Sequence, residues 1–215
     1  MEAIQQELHF QFNARYYQLG QIDGATEVWY VLHGYGQLAQ YFVQKFKPLS
    51  EKGICVIAPE GLSRFYLQGN LGRVGATWMT KENRLMDIEN YITYLDSIHQ
   101  KEIGKRNIKT TLFGFSQGAA TVMRWAMNGK INFDRLILWA GLFPPDMDFE
   151  KGAELLKDKK IIEVLGKQDR FITKDRMEEM MQLNLKLKIN PTIIEFEGRH
   201  EIDESVLKKL HVLKN

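Results

Sequence analysis

Two spacings of apolar residues alternate along the chain. Short runs in which nearly every position is apolar recur at 28–32 (Val-Trp-Tyr-Val-Leu), 54–58 (Ile-Cys-Val-Ile-Ala), 111–113, 135–140, 160–165 and 191–196. Runs of that length and continuity predict strands buried on both faces. Between them, apolar residues return every three or four positions. That period predicts helices over 39–47, 81–102, 149–157, 173–187 and 201–213, with one more from just after Ser116 to 128. In 81–102 the stripe is Leu85, Ile88, Ile92, Leu95 and Ile98. Pro48 is expected to close the first helix, and Thr173 to cap the one it precedes. Near the N-terminus, 8–12 and 15–19 alternate apolar and polar around Asn13-Ala14, predicting an antiparallel hairpin.

One stretch obeys neither spacing. From 60 to 80, Gly61, Gly69, Gly72 and Gly75 punctuate Phe65, Tyr66, Leu67, Val74, Trp78 and Met79, which predicts a long, ordered, irregular loop. Strands alternating with helices predict the α/β class. The arrangement is a mostly parallel central sheet with an N-terminal antiparallel hairpin and helices on both faces, folded as one domain over 1–215.

Composition narrows the function classes. The 215 residues are 44% apolar and 26% charged, with a net charge of +2, and the basic residues are scattered. Neither a nucleic-acid surface nor an anionic membrane partner is expected from that balance. The single cysteine excludes an internal disulfide, and no Cys/His cluster has metal-binding spacing, so no metal is expected. The first ten residues show neither the basic nor the apolar region of a signal peptide, and no apolar run reaches the ~18 residues that span a bilayer. A cytoplasmic protein without stable membrane insertion is expected.

The chemistry gathers at strand ends, where open α/β sheets bind ligands. Gly114-Phe115-Ser116-Gln117-Gly118 fits G-x-S-x-G between a strand and a helix, the context of a nucleophilic serine on a sharp turn. Asp169 and His200 each lie four residues past a predicted strand. The order Ser116, Asp169, His200 is that of the α/β-hydrolase triad. A serine hydroxyl needs a base, an imidazole supplies it near neutrality, and a carboxylate orients the imidazole. Asp146 and Asp148 are rival acids. His9, His99 and His211 fall where structural or solvated roles suit them, and His33 is expected to orient its own loop by hydrogen bonding. Backbone N–H groups of Gln117, at a helix N-terminus, and of Tyr35, in the Gly-rich loop 33–37, are the candidate oxyanion donors. That loop lacks G-x-G-x-x-G and Walker spacing, which argues against a phosphate cradle. Phe65 and Trp78 in the long loop, with Phe143 and Phe171 after later strands, are candidates for an apolar substrate wall.

With Val31-Leu32-His33-Gly34-Tyr35-Gly36, the Gly-Phe-Ser-Gln-Gly motif, Gly166-Lys-Gln-Asp169 and Gly198-Arg-His200 in view, the chain resembles the phospholipase/carboxylesterase family of α/β-hydrolases. Acyl-protein thioesterases and small bacterial carboxylesterases belong to that family. The resemblance covers nearly the whole chain. It implies the α/β-hydrolase fold and a cofactor-free serine hydrolase acting on small-molecule carboxylic esters or thioesters. Ser116, Asp169 and His200 would be its triad, Tyr35 and Gln117 its oxyanion donors. Gly75-Ala-Thr-Trp78 looks like the family's approach to the acyl site and supports Trp78 lining it. The chain departs from the family at Gln37, where an acid is common, at Ile172-Thr173, where Val-Pro is frequent, and at Ala119, where a glycine is usual. A non-catalytic hydrolase-fold binding protein, or an amidase or peptidase of the same fold, are the alternatives. A homodimer is left open.

Overall fold

Seven strands form one sheet. The computed structural model describes residues 3–213. The strands are β1 Tyr16–Leu19, β2 Glu27–Leu32, β3 Ile54–Pro59, β6 Lys109–Phe115, β7 Arg135–Trp139, β8 Lys160–Gly166 and β9 Thr192–Phe196, and they lie in the order β1-β3-β2-β6-β7-β8-β9. A separate antiparallel pair, β4 Ser63–Gln68 and β5 Leu71–Thr77, stands outside that sheet. The longer helices are α3 Arg84–Glu102, α4 Gln117–Asn128, α5 Phe149–Leu156, α6 Lys174–Lys186 and α7 Glu204–Val212.

The continuous apolar runs are strands, as their composition requires. β2 and β3 are buried along their whole length and lie parallel, with Val28 opposite Cys55 and Tyr30 opposite Ile57. Alternation divides each strand between two cores. Val28, Tyr30 and Leu32 pack with Leu112, Leu138, Tyr91, Leu95 and Trp125, the face covered by α3 and α4. Trp29 and Val31 pack with Phe42, Phe46, Phe113, Trp139 and Leu207, the face covered by the first helical stretch and α7. Each such large side chain withdrawn from water stabilises the fold by roughly 1.5–3 kcal/mol.

Four local expectations change. The antiparallel element at the N-terminus is present in β1, but its partner is β3, with Tyr16 opposite Pro59 and Leu19 opposite Val56. Residues 8–12 form no strand, and Leu8 and Phe10 stay exposed. A free hairpin is marginal in water, whereas the open edge of buried β3 gives β1 a core to pack on. The stretch 60–80 is not an irregular loop but the β4–β5 hairpin, turning at Gly69-Asn70; Gly69 in the turn and Gly72 just inside β5 are both at positive φ.

Residues 39–50 are not one helix closed by Pro48. They run as α1 Ala39–Phe42, a 3-10 turn Val43–Phe46 and α2 Lys47–Ser50, and Pro48 sits in the first turn of α2, where its missing N–H costs nothing. Finally, α3 starts at Arg84 and buries Tyr91, Leu95 and Ile98 while Leu85 faces water. Thr173 does cap α6, its hydroxyl accepting from the Arg176 N–H. α7 begins at Glu204, with Asp203 as its cap.

Candidate active site

Ser116 joins β6 to α4 in one residue. Its backbone is held at φ 54°, ψ −116°, outside the regions an L-residue prefers. The N–H of Ser116 donates to the Trp139 carbonyl at 2.9 Å, and its own carbonyl accepts from the Ala119 N–H at 3.0 Å. Two glycines permit the turn. A Cβ on Gly114 would lie 2.3 Å from the Gly118 carbonyl oxygen, and one on Gly118 would lie 2.2 Å from the Leu32 carbonyl oxygen. No side chain fits either gap.

Asp169 and His200 come from the loops after β8 and β9. Backbone bonds tie those loops together: the Lys167 N–H donates to the Phe196 carbonyl and the Gln168 N–H to the Gly198 carbonyl, each at 2.9 Å. The Asp169 side chain is fully buried, and its Oδ2 lies 2.6 Å from Nδ1 of His200. Its Oδ1 accepts the Phe171 N–H at 2.9 Å. An ionised carboxylate only accepts, so Nδ1 carries the hydrogen and, in the neutral ring, Nε2 keeps its lone pair. The imidazole rests 4.8 Å, centroid to centroid, from Phe115, the residue before Ser116. Among the described residues, Ser116 Oγ makes no hydrogen bond. The hydroxyl–Nε2 link is therefore open here, and such links commonly tighten only when substrate arrives.

Asp146 and Asp148 are engaged elsewhere. Asp146 binds Arg84 at 2.7 Å and Arg124 at 2.8 Å, and Asp148 caps α5 through the Lys151 N–H. His99 meets the Tyr30 hydroxyl at 3.0 Å.

His33 orients its loop. It is buried, its Nε2 accepts the Gly61 N–H at 3.0 Å, and its Nδ1 therefore donates to the Gly34 carbonyl at 2.7 Å. Burial pulls its pKa down to about 4, against the hydrogen bond to Gly34, so the ring stays neutral in ordinary buffers. The same loop lies against the serine turn: a Cβ on Gly34 would sit 3.2 Å from Cβ of Ser116. Gly36 and Gln37 then tie the loop to β5, by the Gly36 N–H donating to the Ala76 carbonyl at 2.9 Å and the Ala76 N–H to the Gln37 carbonyl at 3.1 Å. Tyr35, between Gly34 and Gly36, is exposed, with its ring 5.1 Å from that of Phe65. Gln117 is the first residue of α4, where a backbone N–H has no partner within the helix.

The four aromatic residues assigned to the substrate wall separate into two pairs. Phe65 and Phe171 reach the surface. Trp78 and Phe143 do not: they are 2% and 1% exposed. The Trp78 indole N–H donates to the His33 carbonyl at 2.8 Å, so this side chain holds the Gly-rich loop from below.

Three contacts had no signal in the sequence. The Gln37 side-chain oxygen accepts the Gly34 N–H at 2.8 Å, bracing the loop at the position where an acid is common. The Gln117 amide reaches the end of the hairpin, donating to the Met79 carbonyl at 2.9 Å and accepting the Trp78 N–H at 3.3 Å. Phe115, the variable residue of the motif, seats the imidazole. Among the described residues no cluster of His, Cys, Asp or Glu could hold a metal ion, and no helix is long and apolar enough to cross a membrane. A cavity of about 650 Å³ between α5 and the end of α6, lined by Phe149, Ile161, Lys186 and Ile189, opens at the start of β8. Asp169 lies beyond the other end of that strand, so the cavity is not part of this site.

The model of the family described as Phospholipase/Carboxylesterase matches residues 21–213. Among solved structures, acyl-protein thioesterase 2 of Zea mays superposes with a TM-score of 0.71 at 18% identity, covering 93% of this chain and 99% of that one. Esterase PE8 gives 0.69 at 17% identity, covering 94% and 97%. SOBER1 of Arabidopsis thaliana gives 0.64 at 15% identity, covering 87% and 96%. These structural likenesses establish the fold. No curated protein matches the chain in sequence.

Proposed function

This chain belongs to the phospholipase/carboxylesterase family of α/β-hydrolases and is an enzyme of the esterase/thioesterase type, and on that premise we propose that it acts through an acyl-enzyme on Ser116. Residues 1–215 serve as one catalytic domain. The observation that carries the reading is the 2.6 Å bond between buried Asp169 and His200, at the same sheet edge as the strained Ser116 turn.

In this mechanism Nε2 of His200 takes the Ser116 proton as Oγ attacks the substrate carbonyl. Asp169 holds the Nδ1 hydrogen throughout and stabilises the imidazolium. The oxyanion of the tetrahedral intermediate is received by the backbone N–H groups of Tyr35 and Gln117, and the N-terminus of α4 favours its charge. The imidazolium then protonates the departing alkoxide or thiolate as the carbon–oxygen or carbon–sulfur bond breaks. Water, deprotonated by the same Nε2, releases the carboxylic acid and restores Ser116. Of the four candidate wall residues, Phe65 reaches the surface with its ring against that of Tyr35, and there it favours an uncharged acyl group.

A series of p-nitrophenyl esters and matched acyl thioesters tests this. Wild-type protein gives an initial burst and turnover on at least one member, and Ser116→Ala abolishes both. Cleavage confined to amides, or turnover in Ser116→Ala within tenfold of wild type, overturns the proposal.

A further inference from the structure

Among the described residues one hydrogen bond, at Nδ1, holds the His200 ring, which can still tilt about the line from Cβ to that bond. Two aromatic side chains touch the ring. Phe115 lies 4.8 Å away, backed by Phe42 at 6.1 Å, and Phe171 lies 4.7 Å away with its ring inclined at 66°. The Arg170 guanidinium sits 4.8 Å from the Phe171 ring centroid and holds it from outside. The result is a chain of contacts from the surface to the core: Arg170, Phe171, His200, Phe115, Phe42.

Phe171 also acts through its backbone, because its N–H donates to Oδ1 of Asp169 while Oδ2 bonds His200. One residue therefore touches both members of the acid–base pair. A phenylalanine that is 51% exposed is poorly explained as core packing; what its ring covers is the imidazole.

We infer that Phe171 is a positioning residue: it clamps the His200 imidazole against Phe115 and shields the Asp169–His200 bond from water. This assignment rests on the serine-hydrolase reading above and differs from a role in the substrate wall. A clamp acts on the rate of proton transfer, since small displacements of a reacting group are costly in rate. A wall acts on substrate affinity.

The test compares wild type, Phe171→Ala, Phe171→Leu and Phe171→Tyr on p-nitrophenyl acetate, with fluorophosphonate labelling of wild type as the control on the reading itself. Phe171→Ala and Phe171→Leu lower kcat about tenfold while KM stays within about threefold, and Phe171→Tyr, which keeps the ring, restores kcat to within about twofold. A raised KM at unchanged kcat, no change at all, or no rescue by tyrosine overturns the inference. A second measurement does not depend on turnover. In the proton NMR spectrum the His200 ring C–H resonances shift in Phe171→Leu, which lacks the ring current, and return in Phe171→Tyr; resonances that do not move also overturn it. Wild type that resists fluorophosphonate labelling removes the serine-hydrolase reading instead, and the NMR comparison still decides whether Phe171 holds the imidazole.

Discussion

The sheet carries a buried carboxylate paired with a basic side chain at each end, and the two pairs are finished differently. At the start of the strands, Glu27 and Arg135 meet at 2.7 Å. All three nitrogens of that guanidinium are engaged. Its Nε donates to the Thr111 hydroxyl at 3.0 Å, another nitrogen donates to the Leu210 carbonyl at 3.0 Å, and its face lies 5.0 Å over Trp29. Thr111 in turn donates to Glu27. At the carboxyl end, Asp169 is equally enclosed, yet His200 has only Nδ1 engaged and lies beside a strained serine turn. A saturated pair can only hold the strands in register. A pair with one nitrogen left open can exchange a proton.

That contrast predicts opposite failures. On the proposed mechanism the largest effect belongs to Ser116→Ala, which lowers kcat by up to ~10⁶, the scale seen in known serine hydrolases, without changing the urea midpoint beyond the relief of backbone strain. Asp169→Asn follows, with a loss of about 10⁴ in kcat and a folded protein by circular dichroism, because the amide leaves the imidazole in the wrong tautomer. At the other end Arg135→Met strands the Glu27 carboxylate. It costs about 3–5 kcal/mol in urea unfolding, while the protein that remains folded keeps its kcat. Loss of kcat without loss of stability in Arg135→Met would erase the distinction between the two ends.

A third buried carboxyl sharpens the comparison and gives the smallest effect. Glu163, in the middle of β8, has its Oε2 bonded by the Asn184 amide at 3.1 Å, while its Oε1 and the Asn184 side-chain oxygen have no hydrogen-bond partner among the described residues. Burial raises its pKa from 4.5 to about 7, against the pull of Asn184. Between those values the folded carboxyl keeps a proton that the unfolded one has lost. Stability therefore falls as pH rises through that window and levels off above about 7. Glu163→Gln removes the dependence. The stability of the variant relative to wild type grows by up to about 3 kcal/mol between pH 4.5 and 8 in urea titrations. A difference that stays constant with pH would mean the carboxyl ionises freely inside the fold.

How much of this could be read from sequence depended on whether a signal is local. The runs at 28–32 and 54–58 identify strands because burial on both faces leaves no polar positions. β4 and β5 escaped because most of their residues are exposed, giving neither a continuous run nor clean alternation. Alternation at 8–12 indicates that a segment could pair, not whether a better edge is available, and β3 was the better edge. In the same way, motif and order single out Ser116, Asp169 and His200, because each follows a strand. Residue type points to Trp78 and Phe143 as wall, and for Trp78 so does the resemblance at Gly75–Trp78, but depth is a property of the assembled fold. The bond from Gln117 to Met79, and the stacking of Phe115 and Phe171 on His200, join residues tens of positions apart and have no period to betray them.

The account stands on Ser116 being the group that His200 activates. Its most direct test is to treat the folded enzyme with a fluorophosphonate and map the adduct by peptide mass spectrometry. One equivalent per chain on the peptide containing Ser116, lost in Ser116→Ala and slowed in Asp169→Asn, is the result predicted. An adduct on a different residue, or an active enzyme that takes up no label, would contradict it.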